Sequence, residues 1–378
     1  MKPSGIFFTA LLTGTLLAGC EPAGEATKPQ AEAPAVAAPA PAETLGFVIS
    51  GWREAIPDDV TGGCPDGLNI TEFEHLGIDE KVFRARAKEL GGYAEAEKEM
   101  LPADACKARK AVPDPGFHTF DGPAIVAGLD LDGEDSSTGS GTTGCPHDDF
   151  TGPDGTTGID NQYWRAYGCV AAHQPGGLAD RMYASGNFIR EGIPMLVEIT
   201  GVNDRRNDDE VEIRILSSAD TVSLDANNKV IPQLSMRAHE EARYRNTPAK
   251  ARIKDGILTS EPTDVYLRFK QQVIDNEFYY KDARIRAEIL EDGSLRGVIG
   301  FYWDTDNLHD VMNNHMIGEN FHSGRIAAST RGYMCAGMDY ALDRMADGHP
   351  DPETGKCTSL SGANLFEAVP AFVIMPEA

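Results

Sequence analysis

Aspartates crowd one glycine-rich stretch of the chain, and their spacing is suited to a hard cation. Asp130, Asp132 and Asp135 lie close enough in sequence to converge on one ion, and Asp154 and Asp160 form or complete a second position. Calcium prefers about six to eight oxygen ligands, which aspartates and loop carbonyls supply where glycine lets the backbone turn sharply. The pattern therefore predicts calcium as a stabilising ion, although the order of residues departs from an EF-hand loop.

Two other interpretations of this acidic loop stay open. A solvated, flexible surface loop has the same composition. Alternatively, two of its carboxylates act as acid and base in an extracytoplasmic glycan hydrolase. The sequence contains no G-x-S-x-G, H-E-x-x-H or similar hydrolase motif, so we assign no catalytic residue. A protein without enzymatic activity is therefore favoured over an enzyme.

Two aromatic residues directly follow the acidic loop. Tyr163 and Trp164 are predicted to form a ligand-binding surface, with packing in the core as the alternative. The placement beside the loop favours the surface interpretation.

The cysteines point to an oxidising compartment. Apart from Cys20 the chain has an even number of them, which in an exported protein is typical of disulfides: Cys64, Cys106, Cys145, Cys169, Cys335 and Cys357. Nearest-neighbour pairing would join Cys64 to Cys106, Cys145 to Cys169 and Cys335 to Cys357, but the sequence alone does not select one connectivity. Zinc held by Cys145, His147, Cys169 and His173 is the weaker alternative, because this spacing matches no common zinc motif.

The elements that must position these residues are mainly strands. Between residues 195 and 304 apolar and charged side chains alternate, as at 211–215, 265–270 and 283–289. This period of two is typical of antiparallel strands that cover a core on one face. We expect a mainly β fold, an antiparallel β-sandwich or jelly roll, with a small N-terminal helical cap and a C-terminal helix.

The composition divides the chain into five segments. They are a signal (1–19), an Ala/Pro/Glu-rich linker (20–44), a small mixed α/β cap (45–115), the acidic Asp/Gly-rich loop (116–162) and the β-sandwich domain with its C-terminal helix (163–378). Within the cap, Gly91 and Gly92 interrupt a helical pattern, which predicts two helices.

The N-terminus carries the most specific motif. Lys2 precedes an apolar run at 6–17, and the sequence Leu-Ala-Gly then ends at Cys20. This resembles the lipobox of bacterial lipoproteins, in which the signal is cut before the cysteine and lipid is attached to it. The resemblance implies lipidation of Cys20 and anchoring in the bacterial cell envelope. Because Glu21 rather than aspartate follows, the outer membrane is favoured over the inner one. The stretch 145–162 also resembles bacterial lipoproteins of uncharacterised activity.

The net charge limits the partners. With 34 basic and 59 acidic residues the formal charge is -25, which repels nucleic acid and anionic headgroups. We therefore expect a lipid-anchored binding or structural module of the envelope, held in the membrane through lipid on Cys20, with an envelope glycan or protein as partner and no nucleic acid.

Overall fold

The computed structural model describes residues 42–377, except 103–105, 109–111, 123, 137–144, 146, 185–188, 190–191, 193, 271–274 and 314–323. Residues 41–378 form one compact unit. The predictions for the signal, for Cys20 and for nearly all of the linker lie outside the described residues. Glu43 and Thr44, which we assigned to the linker, are the first residues of strand β1.

The predicted mainly β fold is confirmed, since the described chain forms one large mixed sheet of 11 strands. These are β1 (Glu43–Glu54), β2 (Met195–Val202), β3 (Asp208–Ser217), β4 (Leu234–Arg237), β5 (Ala249–Lys254), β6 (Ile257–Ser260), β7 (Thr263–Lys270), β8 (Asp275–Ile289), β9 (Leu295–Asp304), β10 (Gly348–Pro350) and β11 (Cys357–Ile374).

Eight of these strands form a closed antiparallel circuit. The order is β1-β2-β3-β5-β6-β8-β9-β11, and β11 pairs again with β1. Strands β7 and β10 add antiparallel pairings to β8 and β11, and β4 pairs parallel with the end of β11. A closed circuit leaves these eight strands without a free edge and directs alternate side chains into a shared interior.

The period of two decides which side chains enter that interior. On β3 the buried Val211, Ile213 and Ile215 join the main core, as do Ile299 and Phe301 on β9. The intervening positions face outward, so one strand can serve a core on its inner face and a loop on its outer face.

Several helices add side chains to the same main core as the strands. The helices are α1 (Glu72–His75), α2 (Glu80–Leu90), α3 (Tyr93–Met100), α4 (Gln162–Tyr167), α5 (Leu178–Ala184), α6 (Thr305–Asn313), α7 (Gly324–Arg331) and α8 (Cys335–Met345), with a 3-10 helix at Ala242–Arg245. The predicted break in the N-terminal helical pattern is confirmed. Helix α2 ends at Gly91, whose φ of 83° is left-handed, and α3 begins after Gly92.

The predicted C-terminal helix corresponds to α6, α7 and α8. Among the described residues, no helix is both long enough and apolar enough to cross a membrane.

The acidic loop packs against the outer face of β9. A Cβ placed on Gly300 would lie 3.0–3.3 Å from the side chains of Leu129 and Leu131, so glycine permits this close approach. Short bridges pair Leu129 with Asp160 and Phe150 with Ile159. These bridges hold the segments of the loop to one another, and the Leu129 and Leu131 side chains make its contact with β9.

All six cysteines form disulfides, but the nearest-neighbour pairing is wrong. The bridges join Cys64 to Cys169, Cys106 to Cys335 and Cys145 to Cys357, across 105, 229 and 212 residues. The fold brings distant segments together at these points, which local spacing does not reveal. The zinc alternative is also wrong, because Cys145 and Cys169 are consumed by different disulfides.

Candidate metal centre

Three of the predicted calcium ligands converge in the acidic loop. The carboxylates of Asp130, Asp132 and Asp160 each place an oxygen within 4.8 Å of the others. Asp130 is exposed, Asp132 is half-buried and Asp160 is only 4 % exposed. The cluster therefore has a buried floor and a side that opens to solvent.

Backbone amides hold these carboxylates in place. Asp160 Oδ2 accepts hydrogen bonds from the amides of Leu131, at 2.6 Å, and of Asp132, at 3.3 Å. Asp130 Oδ1 accepts from the Gly133 amide and Asp132 Oδ1 from the Glu134 amide, at 2.6 and 2.8 Å. The loop thus turns around its own aspartates, as loops rich in Asp and Gly do.

Glycine is required where the end of the loop returns to its start. Gly158 has a φ of +72°, and a Cβ there would lie 2.8 Å from the Glu134 carbonyl oxygen. A side chain at this position would be strained and would push the two ends of the loop apart.

Burial raises the pKa of the floor carboxyl. Desolvation, reinforced by the nearby charges of Asp347, Asp132 and Asp149, raises the pKa of Asp160 to about 8, despite the amide of Leu131, which lowers it. Desolvation also raises the pKa of Asp130, and the Arg284 guanidinium offsets only part of this rise. Without a cation, Asp160 therefore keeps its proton at neutral pH.

Two further aspartates surround the cluster. Burial raises the pKa of Asp347 to about 7, and burial likewise raises the pKa of Asp149 to about 6, with the Asp132 charge adding to both. Asp347 accepts a hydrogen bond from the Ser361 amide at 2.7 Å, and Asp149 accepts one from the Ser136 amide at 2.6 Å. The centre therefore groups carboxyls that are costly to ionise together and whose ionised form a divalent cation would stabilise.

The remaining predicted ligands lie outside the group of three. Asp154 is exposed, and its carboxylate accepts hydrogen bonds from the amide and hydroxyl of Thr156 in a local turn. Asp135 is near enough to raise the pKa of Asp130 through its charge, but it is not a member of the group. Of the two aspartates predicted for a second ion, Asp160 therefore joins the first group and Asp154 does not.

Sequence reasoning missed Asp149 and Asp347. Asp149 lies within the acidic loop itself and its acidic neighbourhood was a usable signal. Asp347 follows α8, 187 positions after Asp160, and no local pattern connects the two.

The two predicted surface aromatics are buried. Trp164 is 1 % exposed and packs on Phe120, with ring centroids 5.4 Å apart. Tyr163 is 8 % exposed and its hydroxyl donates to Glu54 Oε1 at 2.8 Å. Helix α4 faces the core, so these side chains form no open platform beside the acidic loop.

The ligand atoms that converge here are carboxylate oxygens, which suit calcium better than softer metals. Comparison of the chain with protein-family models, with curated proteins and with solved structures found no match.

Proposed function

We propose that the protein is a lipid-anchored module of the bacterial cell envelope that binds or organises envelope components and is stabilised by calcium in the acidic loop. The lipid on Cys20 would hold it in the membrane, the outer membrane in preference to the inner one. Its partners would be an envelope glycan or protein, and its acidic surface disfavours nucleic acid.

One observation supports the calcium part most directly. Three carboxyl groups approach within 4.8 Å of one another, and burial raises the pKa of one of them, Asp160, to about 8. Keeping three such groups together is unfavourable unless protons or a cation neutralise them. Calcium would replace the proton on Asp160 and take further oxygens from loop carbonyls and water.

A thermal melt of residues 41–378, oxidised, tests this proposal. Calcium at about a hundredfold above its dissociation constant adds about 2.7 kcal/mol to the free energy of unfolding, a rise of a few degrees in melting temperature. We expect this rise with calcium and its loss in excess EDTA. A melting temperature unchanged by calcium would reject the proposal.

Two variants provide a matched comparison. Asp132→Asn removes a carboxylate from the group of three, while Asp154→Asn removes one that lies outside it. We expect the first to lose most of the calcium-dependent rise and the second to retain it. Equal losses would mean that calcium acts on the loop through general charge.

A glycan hydrolase remains the second candidate, because a carboxyl with a raised pKa beside other carboxylates is a pattern used by general acids. The burial of Asp160 and the absence of an aromatic platform at Tyr163 and Trp164 weigh against it. Release of reducing sugar from envelope polysaccharide, abolished by Asp160→Asn, would favour this candidate over the binding module.

The lipid anchor is tested in cells. Labelling with a palmitate analogue should mark the protein and place it in the membrane fraction, and Cys20→Ser should lose both properties. Label retained by the variant would reject Cys20 as the attachment site.

The finer architecture is also a proposal. We expect the closed circuit of strands to flatten into two facing layers, as in a sandwich or jelly roll, with residues 45–115 as its cap. An experimental structure would check both features.

A further inference from the structure

A cavity lies between strands β1, β7, β8, β9 and β11 and helices α4, α5, α6 and α7. Its volume is about 100 Å³, and it opens to solvent on one side. Seven aromatic side chains line it: Trp52, Tyr163, Phe269, Phe278, Tyr280, Phe301 and Trp303. Binding sites for small molecules typically have mainly apolar walls and a few polar groups, as this cavity does.

The aromatic walls pack on one another. Tyr280 stacks on Phe301 with ring centroids 3.8 Å apart, and Trp303 meets Phe278 edge to face at 5.2 Å. The rings come from neighbouring strands β8 and β9 and are held by that pairing. Rigid aromatic faces and edges are suited to a flat ring system.

The cavity contains one charge of each sign. Glu54 contributes a carboxylate that accepts from the Tyr163 hydroxyl and is hydrogen-bonded to His173 Nδ1, each at 2.8 Å. Arg331, which is half-buried, contributes a guanidinium that donates to the Met312 carbonyl at 2.6 Å. These charges balance, so a charged ligand would leave one buried charge uncompensated, at a large cost in free energy.

Two amides supply hydrogen bonds without charge. Asn276 donates to the Val311 carbonyl and Asn364 approaches the Tyr280 hydroxyl at 3.5 Å. Both side chains line the cavity, and an amide has hydrogen-bonding capacity beyond one such contact.

We propose that this cavity binds an uncharged, flat, mainly apolar molecule that carries a hydrogen-bonding group. The mouth lies at α5, where Met182 is 36 % exposed and Leu178 and Ala179 are half-buried. The inference specifies a site for the proposed binding role and does not depend on calcium, so either can fail alone.

Fluorescence tests the site with N-phenyl-1-naphthylamine, an uncharged aromatic probe, added to the complete oxidised chain. Because Trp52 and Trp303 line the cavity, saturable binding should produce energy transfer from tryptophan to the probe. We expect Trp52→Phe and Trp303→Phe to weaken probe binding. Trp164→Phe should leave the dissociation constant of the probe unchanged, since Trp164 is not among the residues that line the cavity. A dissociation constant changed by Trp164→Phe and not by the other two would overturn the assignment.

A pair of variants on α5 tests the mouth. Ala179→Phe adds a bulky side chain to the cavity lining and should weaken probe binding about tenfold or more. Arg181→Phe adds the same ring at an exposed position of the same helix and should change the affinity for the probe less than about twofold. Melting curves confirm that both variants fold. Unchanged affinity in Ala179→Phe would overturn the proposed entrance.

The charge preference is tested with probes of similar ring size. An anionic naphthalene sulfonate and a cationic naphthylammonium should each bind about tenfold or more weakly than the neutral probe. Tighter binding of either charged probe would overturn the predicted ligand class. Repeating the titration in EDTA separates this result from calcium binding, because probe affinity should persist there.

Discussion

Asp160 combines three roles that follow from its burial. Its backbone amide donates to the Leu129 carbonyl, its carboxylate accepts from two amides of the loop, and it is the most buried carboxyl of the candidate metal centre. A residue so placed controls the loop both as a hydrogen-bond acceptor and as a titrating group.

The pH dependence of stability follows from that titration. In the metal-free protein Asp160 keeps its proton up to about pH 8, whereas in the unfolded chain an aspartate loses its proton near pH 4. The native state therefore binds more protons between these values, and the free energy of unfolding falls as pH rises through the window. Urea unfolding in EDTA at pH 5 and pH 8 should show this fall.

Asp160→Asn should make that dependence shallower. Asp347 and Asp149, whose pKa values burial also raises, contribute in the same direction and keep part of the slope. Asp154→Asn serves as the control with an unchanged slope. Metal-free stability that increases with pH would contradict the prediction.

Tyr163→Phe tests a buried hydrogen bond. The Tyr163 hydroxyl donates to Glu54 at 2.8 Å inside the protein, and the Tyr279 hydroxyl donates to Asp264 at 2.9 Å on the surface. A hydrogen bond to a buried carboxylate contributes about 1.5–3 kcal/mol, so Tyr163→Phe should lower the free energy of unfolding by that amount. Tyr279→Phe should cost less than about 1 kcal/mol in chemical unfolding, because water replaces its hydroxyl. Equal costs would mean that burial does not strengthen the bond.

At the scale of elements, the candidate metal centre depends on how the acidic loop is attached to the sheet. The Cys145–Cys357 disulfide ties the loop to the first residue of β11, and the same loop packs over Gly300 of β9. Asp347 reaches the centre from between α8 and β10. Three separate elements therefore assemble the carboxylates.

Removing the Cys145–Cys357 disulfide should lower the affinity for calcium as well as the free energy of unfolding. In the chain-entropy model a bridge across 212 residues stabilises by about 4–5 kcal/mol. Cys145→Ser with Cys357→Ser should lower the melting temperature and also reduce calcium affinity, measured by calorimetry, because the loop loses its tie to β11. The Cys64→Ser and Cys169→Ser pair is the control, with a lower melting temperature and a smaller effect on calcium. Full calcium affinity without the Cys145 bridge would contradict this role.

At the scale of the whole molecule, β1 closes the sheet by pairing with β2 on one side and β11 on the other. The closure depends on a close approach at Gly46, where a Cβ would lie 2.5 Å from the Ala371 carbonyl oxygen. Strands β1 and β11, which this closure pairs, both contribute side chains to the walls of the apolar cavity.

Gly46→Ala should therefore destabilise the whole fold. The added methyl forces β1 and β11 apart, and overpacking of this kind costs about 1–3 kcal/mol or more. Gly51→Ala, in the same strand, meets Glu367 Cβ only at 3.4 Å and should be much milder. Thermal melts of the two variants make the comparison. Equal melting temperatures of the two variants would contradict the prediction, because they would show that β1 and β11 can pair at a wider separation.

The sequence by itself determined the local features of this protein. Alternation at Val211, Ile213 and Ile215 predicted a strand, and Gly91 with Gly92 predicted a helix break, because backbone geometry responds to neighbouring residues. The acidic loop was recognised from composition, and the cysteines were correctly predicted to be oxidised.

Only the tertiary structure decided the relations between distant residues. It joined Cys145 to Cys357, brought Asp347 to Asp160 and turned Tyr163 into the interior. These relations depend on how strands pair and on which faces pack together, and the energies that select them come from contacts between segments far apart in the chain. Periodicity identifies the face of a strand that is buried, whereas closure of the sheet decides what that face meets.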